Sequence, residues 1–183
     1  MTTKKYAALL RGINVGGAKK VPMAELREVL EGLGHQDVQT YLQSGNAVFS
    51  TSEKDVHALT RELERAVEAR FGFAVACLVL DGAYLRAVAD GCPFPAAALE
   101  GRQLHATFLS EQPERSRFAA IDGPSYLPEE FRIGDRVLYL YAPNGLGRSK
   151  LAEALHKPAV LKGIAATTRN WNTVAKLVEL TRD

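Results

Sequence analysis

The chain has 183 residues, 46% of them hydrophobic and 24% charged, which is enough apolar material for a substantial folded core and excludes a disordered polymer. A formal net charge of +2 excludes nucleic-acid binding driven by bulk charge and leaves only charge gathered on one face. Two cysteines, Cys77 and Cys92, form neither a disulfide framework nor a zinc spacing.

The start is short of signals: two lysines and the apolar run Tyr6 to Leu10 are followed at once by Arg11. No secretory leader or membrane span is expected from this, and the expected location is cytoplasmic. After that first strand, Met23, Leu26, Val29, Leu30 and Leu33 repeat with helical spacing behind Pro22, and Gly34 closes the helix. Gln36 to Gln43 and Ala47 to Thr51 read as a hairpin turning at Ser44-Gly45. Ser52 with Asp55 resembles a capping box for a second helix through Val56, Leu59, Leu63, Val67 and Phe71, ending at Gly72. Val75 to Leu80 is the next strand, with Cys77 read as an inert buried thiol.

This order, βαββαβ, predicts a ferredoxin-like half over residues 1–80. Residues 81–183 are expected to hold a bridging segment over 81–102 and then a second, degenerate half of the same kind. Its elements are a strand from Gln103 to Leu109, a helix near Glu114 to Ile121, strands around Phe131 and Val137 to Tyr141, and a helix from Ser149 to His156. Gly134-Asp135 is the expected hairpin turn. A closing helix near Asn170 to Thr181 carries Trp171, Val174, Leu177 and Val178 on one stripe. The fold class is therefore α+β, with two antiparallel sheets and a shared interface between the halves.

Four polar, glycine-rich segments interrupt this pattern with more cations and amides than turns require. The first, Arg11 to Lys20, carries Arg11, Asn14, Gly16, Gly17, Lys19 and Lys20 with no acid. The second is Gln43, Ser44, Gly45 and Asn46. Because the first two strands of βαββαβ run in the same direction, these two segments should meet at one end of the sheet. Glycine N–H groups beside lysine and arginine suit an oxyanion. The third segment, Asn144 to Lys150, brings Arg148 and Lys150 to a helix start, where unsatisfied N–H groups attract negative charge. In the fourth, Arg169 to Asn172, Asn170 is placed to cap the last helix while Arg169 and Asn172 face outward. The plain alternative is turn chemistry, since Gly, Asn and Ser favour turns for local reasons.

Tests for known chemistry fail. Ala18 interrupts a phosphate-loop pattern between Gly12 and Lys19, and no dinucleotide fingerprint follows a strand. His35, His57, His105 and His156 are scattered without ligand spacing, so no metal is expected. No nucleophile elbow activates Ser44 or Ser149, so catalytic residues stay unassigned and no cofactor is implied.

The segments Leu9 to Gly17, Thr40 to Asn46, Asn144 to Leu151 and Thr168 to Thr173 together resemble a bacterial family known as domain of unknown function sixteen-ninety-seven. The resemblance spans nearly the whole chain and implies an α+β fold of two ferredoxin-like halves, but no activity, cofactor or catalytic residue. It places the signature on the polar loops. The expected partner is a phosphate-bearing small molecule or nucleotide held between the halves, with Arg11, Lys19, Arg148 and Lys150 as anion contacts. Two other readings stand beside it. One is a nucleic-acid-binding module using the same cations with Tyr41 or Trp171 stacking on bases. The other is an interaction scaffold with an apolar patch around Phe94 to Leu99.

Overall fold

A computed structural model describes residues 2–183. The chain divides into two compact units: Met1–Arg86 with Leu177–Asp183, and Ala87–Lys176.

In the first unit, strand β1 (Lys4–Leu10), helix α1 (Met23–Gly32), strands β2 (Gln36–Tyr41) and β3 (Asn46–Thr51), helix α2 (Val56–Phe71) and strand β4 (Cys77–Asp81) follow in order. The sheet runs β2-β3-β1-β4 with every neighbouring pair antiparallel. Strand period decides which residues of β1 meet the helices: Tyr6, Ala8 and Leu10 join Leu26 and Leu30 of α1 and Leu59, Leu63 and Val67 of α2 in one core. Phe49 lies in the same core, with the His35 ring stacked 4.5 Å from its own. Helix α2 starts differently from expectation. Asp55, not Ser52, is the cap, its carboxylate accepting from the His57 and Ala58 N–H groups. Gly72, at φ 82, ends the helix as expected.

The β2–β3 hairpin needs its glycine. Gly45 sits at φ 92, and a Cβ there would lie 2.6 Å from Ile13 Cδ1 and 3.0 Å from Leu10 Cβ. Gly45→Ala is therefore expected to destabilise the protein by about 2 kcal/mol, combining left-handed strain with overpacking. The midpoint of urea unfolding measures it.

In the second unit, strands β5 (Leu104–Leu109), β6 (Glu130–Gly134), β7 (Val137–Tyr141) and β8 (Ala166–Asn170) form a sheet in the order β6-β7-β5-β8, again antiparallel throughout. Helices α4 (Lys150–Leu155) and α5 (Pro158–Leu161) place Leu151, Leu155 and Val160 on Leu109, Leu138, Leu140 and Ala166. The helix expected near Glu114 to Ile121 is instead a 3₁₀ turn, Arg115–Phe118, followed by another, Gly123–Tyr126. The β6–β7 turn falls at Asp135-Arg136, one residue later than expected, because Gly134 pairs with Val137.

Two elements of the expected bridging and closing regions differ. Residues Gly82–Asp90 form helix α3, started by Asp81, whose carboxylate accepts from the Tyr84 N–H at 2.6 Å. The stretch read only as a signature before the last helix contains the edge strand β8. The closing helix, α6 (Trp171–Leu180), lies where the stripe placed it.

Candidate functional site

The loop after β1 is built by backbone geometry that glycine and asparagine tolerate. Gly12, Asn14, Gly16, Gly17 and Lys19 all take positive φ, from 47° to 76°. Asn14 fixes the loop: its amide donates to the carbonyls of Val21 (3.0 Å) and Gln43 (2.8 Å) and its oxygen accepts from Val21 N–H at 2.8 Å. Leu10 N–H donates to Gly45 at 2.9 Å and Arg11 N–H to Ala76 at 3.0 Å. The loop is thus stapled to the β2–β3 turn on one side and to the approach to β4 on the other. The convergence that strand direction required of Arg11 to Lys20 and Gln43 to Asn46 is present.

Within this end of the sheet, side chains divide into frame and surface. Asn14 and Asn46 belong to the frame. Asn46 is buried and donates to the Tyr41 carbonyl (2.8 Å) and Ser44 Oγ (3.1 Å). Arg11, Lys19, Lys20, Gln43 and Ser44 are exposed, with Lys19 Nζ reaching the Ala74 carbonyl at 3.3 Å. Among the described residues, the N–H groups of Gly12, Gly16 and Gly17 donate to no other protein atom. Two apolar side chains that sequence reasoning passed over stand beside them: Val15 is 69% exposed, and Leu42, at φ 61, is 52% exposed. The sequence signal was available, as a valine between an asparagine and a glycine pair and a leucine in a polar turn.

The other two segments share an end of the second sheet, because Leu104 pairs with Tyr141 and His105 with Asn170. Gln103 bridges them to the strand start: its carbonyl accepts from Ala142 N–H at 2.7 Å and its amide donates to the Pro143 carbonyl at 3.4 Å. The exposed Asn172 amide packs over Gly101, close enough that a Cβ there would displace it. Asn144, Arg148 and Lys150 are exposed.

At the start of α4, where an anion is expected, the chain itself meets two of the helix N–H groups. The helix is six residues long, Ser149 Oγ accepts from Ala152 N–H at 2.9 Å, and the Glu129 carboxylate accepts from Leu151 N–H at 3.3 Å. The protein's own carboxylate occupies the position that dipole reasoning gave to a ligand. Arg169 also corrects its expectation of facing outward. It is buried, one guanidinium nitrogen donating to Thr167 Oγ1 (2.7 Å) and the Thr168 carbonyl (3.0 Å), and loss of solvent pulls its pKa down to about 10. Asn170 caps α6 as expected, accepting from Thr173 N–H at 3.0 Å.

Burial shifts several titratable groups. Burial pushes the Cys77 thiol up to about 12, away from thiolate chemistry. Burial also holds His105 down at about 4, and among the described residues its Nδ1 has no hydrogen-bond partner. Among the described residues, no three His, Cys, Asp or Glu side chains gather as metal ligands, and no helix is long and apolar enough to cross a membrane. In the segment Phe94 to Leu99, Phe94 is half-buried, 6.1 Å from the Tyr141 ring with the Arg132 guanidinium 5.6 Å above it, while Pro95, Ala97 and Ala98 are exposed.

Comparison with known proteins adds fold and family. A solved structure of the conserved bacterial protein SP0830 from Streptococcus pneumoniae is similar over 99% of this chain and 100% of its own, with a TM-score of 0.77 and 23% identity. At that identity the likeness concerns the fold. No curated protein matches. The family model described as "Protein of unknown function (DUF1697)" matches residues 3–139, and the chain therefore belongs to that family.

Proposed function

We propose that the protein binds a phosphate-bearing small molecule or nucleotide at the loop end of its first sheet. One observation carries this reading: an acid-free ten-residue loop carries exposed Arg11, Lys19 and Lys20 together with three glycine N–H groups that donate to no other protein atom among the described residues. Backbone N–H groups and cations converging on one place are what an oxyanion requires. Gln43 and Ser44 supply neutral polar contacts beside it, and Val15 with Leu42 offers apolar surface to the rest of the ligand, such as a base. Each half also reads as ferredoxin-like, supported by the strand orders β2-β3-β1-β4 and β6-β7-β5-β8. No reaction is assigned.

A thermal-shift screen with inorganic phosphate, nucleotides, sugar phosphates and short RNA tests the proposal, because a ligand of the native state raises the melting temperature. A shift with a small phosphate that survives added salt is the expected result. Arg11→Ala with Lys19→Ala should weaken that ligand about 100-fold, from two charge-assisted contacts, while Arg148→Ala should change little. Shifts only with oligomers, falling steeply with salt, replace the reading with nucleic-acid binding. No shift with any phosphate overturns it.

A further inference from the structure

A concave site lies wholly within the second unit and shares no residue with the loop of the first. A cavity of about 310 Å³ is lined by Gly123, Pro124, Leu127, Glu129, Glu130, Phe131, Arg132 and Leu151. That is the lower end of the size range of small-molecule pockets, and most of its wall is apolar. Phe131 is held in place from behind by Phe118, their rings stacked at 5.7 Å.

The charges around the cavity do not cancel. Arg132 is matched: its guanidinium donates to the Glu130 carboxylate at 3.3 Å and to the Phe131 carbonyl at 2.8 Å. Glu129 has no such partner. One of its oxygens accepts from Leu151 N–H at 3.3 Å, and among the described residues no cation lies within ion-pair distance of the other. The site therefore presents one surplus carboxylate, oriented by a backbone bond, at the wall of an apolar cavity. A carboxylate so placed gains most from a ligand that brings a positive charge on an apolar body.

We propose that this cavity binds a small organic amine, its ammonium group on Glu129 and its hydrocarbon part against Leu127, Phe131, Pro124 and Leu151. Leu127, 61% exposed, forms the outer wall and becomes covered when the ligand is seated.

The test uses the full-length protein and phenethylamine at pH 7, with 3-phenylpropionate as a probe of similar shape and opposite charge. Saturable binding of the amine, and at least tenfold weaker binding of the carboxylate, are expected by titration calorimetry. Glu129→Gln keeps an acceptor for Leu151 N–H but removes the charge, and should weaken the amine at least tenfold. Leu127→Arg, at an exposed position where folding is insensitive, should do the same by placing a cation at the mouth, and it decides the matter if the first variant fails to fold. Failure of the wild type to bind the amine, equal binding of 3-phenylpropionate, or unaltered amine binding by the folded variants each overturns the assignment.

Discussion

Lowering the pH from 7 to 4 is expected to remove about 3 kcal/mol of stability through His105 alone. The side chain is 5% exposed in the middle strand pair of the second sheet, its Nδ1 has no hydrogen-bond partner among the described residues, and burial holds its pKa at about 4 against an ordinary 6.5. The folded chain thus keeps the imidazole neutral where the unfolded chain takes up a proton. Above 6.5 neither state is protonated and stability is unaffected. Between 6.5 and about 4 the unfolded state binds more protons, so stability falls as pH falls, by about 1.4 kcal/mol per pH unit. Below 4 the loss is complete. Carboxylates contribute their own slope at acid pH, so the measurement is a difference: urea unfolding of wild type and His105→Leu from pH 7.5 to 4. The variant should lack this part of the pH dependence. Near neutrality it should also be no less stable, since it removes a buried polar atom that has no partner. Parallel pH profiles would show that His105 is not held neutral.

Asn14→Ala is expected to cost about 3 to 4 kcal/mol, far more than Arg11→Ala a few residues away. Asn14 makes three bonds to backbone groups of Val21 and Gln43. Removing it leaves the partly buried N–H and carbonyl of Val21 without this partner, returns the exposed Gln43 carbonyl to solvent, and puts alanine at φ 55, where it is strained. Arg11 is exposed, and its truncation should change stability by no more than about 0.5 kcal/mol. The same variant should also reduce phosphate binding, because the loop loses its link to the β2–β3 turn. Urea midpoints for the two variants, followed by phosphate titration of whichever stays folded, separate a residue that holds the loop from one that faces the ligand.

Helical spacing at Leu26 and Leu30, and at Leu59, Leu63 and Val67, made the first unit legible, since those residues do face one core. Helix α3 was hidden because Gly82 at its start and the Cys-Pro-Phe-Pro stretch beyond its end read as connection, while its capping acid, Asp81, belongs to the strand before it. Strand β8 was hidden because Ala166 to Asn170 carries threonine, arginine and asparagine, which resemble a loop unless the buried middle strand beside them is known. At the candidate site, strand direction alone brought two loops together. It could not show which amides turn inward: Asn14 and Asn46 carry the same letter as Asn144, yet the first two hold the frame and the third is exposed. Nor could spacing show that Glu129, twenty-two residues before Leu151 in the chain, fills the anion position at α4.

The most direct measurement is a titration of isotopically labelled protein with inorganic phosphate, following backbone amide resonances by NMR. The amides of Gly12, Gly16 and Gly17 should shift together and saturably, those of Gln43 and Ser44 less, and those from Asn144 to Lys150 hardly at all. Still resonances from Arg11 to Lys20, or larger shifts at Asn144 to Lys150, would contradict the placement of a phosphate site on the first unit's loop.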